Sequence, residues 1–240
     1  MKRLVFLALV MAGIALGSFW AAWEAAREAS PPVMPQEADA VARFDATRRD
    51  ALAGDREARV RLGDLLRQGL GAPRDVKEAA KWYREALRQG SAEAQSRLGR
   101  MMVAGEGMPI DYIRAAELFR AAAQAGSREA RFELGRLYYH GRGVTHDYGR
   151  AIELFRQAAE QGHSGAQFLM GGMIEEGWGM KEDATEAYKW YTLAARDPAG
   201  LRALDSKFDP EEARRRLRSR LSRFEVERGE ELARDWRPKP

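Results

Sequence analysis

Side chains suited to acid–base or metal chemistry are scarce in this sequence. Three histidines occur, His140, His146 and His163. A protein zinc site needs three or four donors converging on one ion. His140 and His146 flank a Gly-x-Gly loop with Asp147 as the adjacent carboxylate, so they read as solvated loop residues, while His163 opens a separate segment. Glu175 and Glu176 are sequence neighbours in a helical stretch and point in different directions, which is wrong for a carboxylate pair flanking a reacting bond. There is no cysteine, so disulfides, thiolate metal sites and a cysteine nucleophile are excluded. Metalloprotease, phosphate-loop and serine-elbow strings do not occur. Gly171-Gly172 and the Gly-x-Gly pairs follow no strand, as a dinucleotide loop would require. These residues predict a protein that is not an enzyme and uses no metal or cofactor.

The remaining chemistry is recognition. Forty basic residues face 36 acidic ones for a net charge of +4, too even a balance for the field that captures nucleic acid. The densest charge is the run Arg214, Arg215, Arg216, Arg218, Arg220 and Arg223. It reads either as a contact for an anionic lipid headgroup or cell-wall polymer, or as a solvated helix balanced by Glu211, Glu212, Glu225 and Glu227. Trp178 stands between two loop glycines. There it serves as an exposed interface anchor or folds back onto the carboxyl-terminal segment.

The elements that place these residues recur. From Asp55 onward the sequence aligns in blocks of 36, namely 55–90, 91–126, 127–162 and 163–198. Leu62-Gly63 returns as Leu98-Gly99, Leu134-Gly135 and Met170-Gly171. Gly69 and Gly71 return as Gly105 and Gly107, Gly141 and Gly143, Gly177 and Gly179. Asp75, Asp111, Asp147 and Asp183 form one column, and Tyr83, Phe119, Phe155 and Tyr191 another. Gly90, Gly126 and Gly162 close the blocks until Pro198 replaces them.

Ala94, Leu98 and Met102 trace the stripe of one amphipathic helix, and Ala115, Leu118, Phe119, Ala122 and Ala123 that of a second. Gly99 lies inside the first helix, where glycine costs about 1 kcal/mol against alanine. Its return in every block predicts a close approach that a Cβ would block. The aspartates sit where N-caps belong, with capping-box spacing to Glu78 and Glu186. One such hairpin cannot bury its apolar face, so neighbours must stack. Residues 37–54 look like the surviving second helix of a degenerate unit. Residues 199–236 hold capping helices, with starts at Asp209-Pro210 and at Ser222 with Glu225.

At the amino terminus, Lys2 and Arg3 precede the uncharged residues 4–23, the pattern of an export leader. Ala15 and Gly17 suit cleavage after Gly17, whereas Trp20 and Trp23 suit an uncleaved anchor meeting the headgroups. Residues 1–23 are therefore a signal peptide or membrane anchor, and the proline-rich residues 24–36 a linker.

Taken together, the alanine, Leu-Gly, Gly-x-Gly, aspartate and aromatic columns resemble the Sel1-like repeat, a relative of the tetratricopeptide repeat. The resemblance covers residues 55–198, with 222–236 similar to the closing helix of such proteins. Leu66 and Met102 stand where the family favours tyrosine. The resemblance implies an all-α fold, a right-handed α-α superhelix of tandem helix–turn–helix repeats. It also implies an adaptor or scaffold for a protein or peptide partner, in envelope regulation or complex assembly for exported bacterial members. Candidate partner-facing residues are Arg59, Gln95, Arg131 and Gln167 on the first helices, with Tyr139 and Trp178. A periplasmic location, with or without an inner-membrane anchor, is expected, and an envelope-polymer factor acting through the arginine run is the alternative.

Overall fold

The computed structural model describes residues 35–178 and 181–239, so the leader and most of the proline-rich linker lie outside the described residues. Among the described residues there are twelve α-helices and no strand. Helix α1 (Pro35–Leu52) begins at Pro35, two residues ahead of the expected start. Four hairpins follow: α2 (Arg56–Gln68) with α3 (Val76–Arg88), α4 (Ala92–Ala104) with α5 (Tyr112–Gln124), α6 (Arg128–His140) with α7 (Tyr148–Glu160), and α8 (Ser164–Glu175) with α9 (Ala184–Ala194). Helices α10 (Pro198–Leu204), α11 (Pro210–Arg218) and α12 (Arg223–Asp235) close the chain. Each helix from α1 to α8 packs on its successor, which makes the chain an all-α helical-repeat solenoid. Among the described residues no helix is long and apolar enough to cross a membrane.

Side chains at fixed positions start every helix of the repeats. Asp55, Ser91, Ser127 and His163 each accept the backbone N–H three residues on, at Ala58, Ala94, Ala130 and Ala166. Asp75, Asp111, Asp147 and Asp183 do the same for the second helices, at 2.9–3.0 Å. Such caps satisfy one of the unpaired donors at a helix start and contribute about 1 kcal/mol each. The capping boxes expected at Asp75 and Asp183 form only their aspartate half, and Glu186 turns to Lys189 instead, 2.5 Å away. A reciprocal box forms at Ser222, where Glu225 returns to the Ser222 backbone N–H at 2.7 Å. The first helices α2, α4 and α6 end on glycines such as Gly105, whose φ of +68° disfavours any side chain.

The core is the aromatic column set against the small columns. Tyr83, Phe119, Phe155 and Tyr191 are at most 3% exposed. Each ring lies over the helical glycine of its own hairpin, so a Cβ at Gly63, Gly99, Gly135 or Gly171 would come within 2.5–2.8 Å of it. The second loop glycine joins one unit to the unit before. A Cβ on Gly107 would meet Val76, at the start of the preceding α3, and one on Gly71 would meet the Ala40 carbonyl in α1. Ala40 and Val76 are one period apart, so α1 stands to α2 as α3 stands to α4.

The fourth unit stops early. Pro198 closes no hairpin; it is the first residue of α10, capped by Asp197, whose carboxylate accepts the Gly200 N–H at 2.9 Å. Helices α11 and α12 both pack on α9. In α12, Gly229 lets the helix approach Tyr188, while Val226 and Ala233 are buried. Arg196 donates to the Ala233 carbonyl at 2.6 Å, and the tail returns to α7 through Lys239 N–H to Glu160 O at 2.8 Å.

Candidate binding groove

The first helices carry a repeated face that the hairpin core leaves open. In α6 it holds Phe132, Arg136 and Tyr139; one period on from the first two, α8 presents Phe168 and Gly172, with Met173 beside them. Leu204, at the end of α10, and Asp205 and Phe208 after it form a side wall. The resulting cavity is about 340 Å³. A second hollow of about 590 Å³ adjoins it, lined by Tyr148, Ile152, Glu153 and Arg156 on α7. Tyr139, Met173 and Trp178 belong to both, so the two hollows form one groove across the third and fourth hairpins.

Aromatic rings dominate it. Tyr139 and Trp178 face each other nearly parallel, 6.5 Å between centroids at 16°. Phe168 stacks on Phe208 at 4.8 Å and 29°. Trp178 remains 50% exposed, an apolar ring that water does not favour and a partner can cover.

Of the residues the sequence nominated, Tyr139 and Trp178 are therefore brought together. Arg59, Gln95, Arg131 and Gln167 fall on the adjacent flank, and none of them lines the groove. Arg59 donates to the Ala51 carbonyl and the buried Gln167 to that of Ala159, each at 3.2 Å. Both thus satisfy acceptors near the end of the preceding second helix. Arg131 bonds the Gln161 side chain, and Gln95 is half-buried. The groove columns lie one residue further on, at Phe132 and Phe168. Their signal is an aromatic pair where the first two blocks carry Val60 and Ser96.

Charges near the groove are arranged unevenly. Glu133 is buried beneath it, 3.2 Å from Arg136 and 3.8 Å from Arg100. Burial pushes its carboxyl above the usual range, against the pull of both guanidiniums. His140 ends α6 rather than lying in the loop, and partial burial together with Arg142 and Arg136 lowers its pKa. His146 stays in the exposed loop, 4.1 Å from the Tyr148 ring. His163 is a buried N-cap: Nδ1 accepts the Ala166 N–H at 3.1 Å, and the ring stacks on Phe132 at 4.2 Å.

The arginine run is largely neutralised within the protein. Arg216 and Arg220 reach the buried Glu175 at 2.6 and 3.4 Å, and the Tyr191 hydroxyl donates to the same carboxylate at 3.0 Å. Burial alone would raise the Glu175 carboxyl, but Arg216, Tyr191 and Arg220 hold it below the usual range. Arg214, Arg215 and Arg223 pair with Glu211, Glu212 and Glu227. The cluster fastens the carboxyl-terminal cap; Glu176 points away from it to the groove.

Four tandem hairpins with these columns are matched by the Sel1 repeat, at residues 56–91, 92–127, 128–163 and 164–197. The chain belongs to the Sel1 repeat family. Its last match ends at 197, where α10 breaks the period. The chain is similar to a Sel1 repeat protein from Oxalobacter formigenes, with 30% identity, 80% of this chain and 77% of that one covered, and a TM-score of 0.62. It also resembles a protective antigen present in uropathogenic Escherichia coli strains, at 26% identity and a TM-score of 0.53, covering 80% of this chain and 48% of the antigen. No curated protein matches the chain. Sel1 repeat proteins act generally as protein-interaction scaffolds, a fold that is typically non-catalytic.

Proposed function

We propose that this Sel1 repeat protein is an exported adaptor that holds a segment of a partner protein in the groove between its third and fourth hairpins. The exposed Trp178 facing Tyr139 across an aromatic-lined cavity carries this reading. Large rigid rings at the centre of a concave surface supply contact area at low entropic cost, and such residues dominate binding energy at interfaces. Export to the periplasm, in envelope regulation or complex assembly, is supported by the basic start and the apolar residues 4–23.

The test is affinity capture from envelope fractions with the full chain and with Tyr139→Ala/Trp178→Ala. A partner held by the wild type and lost from the double variant supports the groove. Equal capture by both contradicts it. Fractionation with mass determination of the mature protein tests export and shows whether residues 1–17 are removed.

A further inference from the structure

The groove combines ring faces with unspent negative charge. Tyr139, Phe168, Trp178 and Phe208 line it with rings that are not fully buried, and aromatic faces attract cations through the ring quadrupole. The Arg136 guanidinium already uses this, 5.9 Å from the Phe132 centroid. It also pairs with the buried Glu133 at 3.2 Å, a carboxylate that Arg100 shares at 3.8 Å. On the rim, Glu176 and Asp205 are exposed, and among the described residues neither has a lysine or arginine within ion-pair distance. Among the described residues the Asp205 carboxylate accepts only the backbone N–H of Lys207, at 2.9 Å. His140 adds no competing charge near neutral pH, since its surroundings disfavour protonation.

We infer that the partner segment seats an arginine side chain in this groove, its guanidinium against the rings and within reach of Glu176 and Asp205. This rests on the reading of the groove as the partner site. A planar, weakly hydrated guanidinium stacks on rings and pairs with carboxylates, which a compact, strongly hydrated ammonium does less well. An acidic side chain would meet two carboxylates and the electron-rich ring faces. A cavity of about 340 Å³ takes an extended segment with one long side chain, not a folded domain.

The experiment selects a displayed random-peptide library on the folded full chain, then measures fluorescein-labelled copies of the enriched peptides by anisotropy. Arginine at a fixed position is expected. Its replacement by citrulline, which keeps the shape and removes the charge, weakens binding about tenfold. Glu176→Gln/Asp205→Asn, with circular dichroism confirming the fold, reduces that ratio to within about threefold and leaves the citrulline peptide's affinity unchanged. Enriched peptides with apolar or acidic anchors, or indifference to citrulline, overturn the arginine inference while the groove reading stands. Peptides that bind Tyr139→Ala/Trp178→Ala as well as wild type, or no enrichment at all, overturn the groove reading and the arginine inference together.

Discussion

The Phe119 ring packs against Gly99 so closely that a Cβ at Gly99 would come 2.6 Å from Phe119 Cε1. This contact sets the spacing of the two helices in the second hairpin, and the same pair of columns sets it in the other three. Replacing Gly99 with alanine gains about 1 kcal/mol of helix propensity, yet forces a methyl into a ring with no room to retreat, at a cost of about 1–3 kcal/mol or more. Gly99→Ala is therefore expected to lower stability in urea unfolding, and Gly99→Ala/Phe119→Leu to recover part of the loss. A stabilised Gly99→Ala would show that the glycine column serves another purpose.

The hairpins, the aspartate caps of the second helices and the close approach at the helical glycines were legible in the sequence because each depends on contacts within one period, repeated four times; that an aromatic ring fills that approach was not. The packing of α1 follows the same period, since Gly71 meets Ala40 as Gly107 meets Val76. The groove was only half legible. Tyr139 and Trp178 announce themselves as aromatics near loops, but whether Gln167 or Phe168 faces the open side depends on helix rotation within the stack. Glu175 and Arg216 are 41 residues apart, and nothing local couples them. Pro198 looked like a substituted closing glycine because the column arithmetic continued past the point where α10 begins.

His163 caps α8 through an unprotonated Nδ1, a place held by serine in α4 and α6. Burial, partly offset by Glu129 and reinforced by Arg128, lowers its pKa below the ordinary 6.5. The unfolded chain then binds the proton more readily, so stability from this residue is fully present above about pH 6.5 and is lost as the pH falls below it. Urea midpoints for the wild type minus those for His163→Ser should decline from pH 7 to pH 5, by the equivalent of about 1 kcal/mol. A pH-independent difference would mean that the ring contributes packing alone.

Glu175 joins the last repeat to the cap through Arg216, Arg220 and Tyr191. Glu175→Gln is expected to cost about 1–3 kcal/mol, since a charge-assisted contact is lost while the half-exposed Arg216 can turn to water. Amide exchange should speed up selectively in α11 and α12, with α2 to α5 unchanged. Uniform acceleration along the chain would contradict a local fastening role.

The adaptor reading is tested most directly by site-specific photocrosslinking in cells. A photoreactive residue placed at Tyr139 or at Phe208, both lining the groove, should form an adduct with a partner protein. The same residue at Glu117, exposed on a second helix, should not, and Trp178→Ala should abolish the Tyr139 and Phe208 adducts. Adducts at Glu117 with none at Tyr139 or Phe208 would place the partner on another face and contradict the groove.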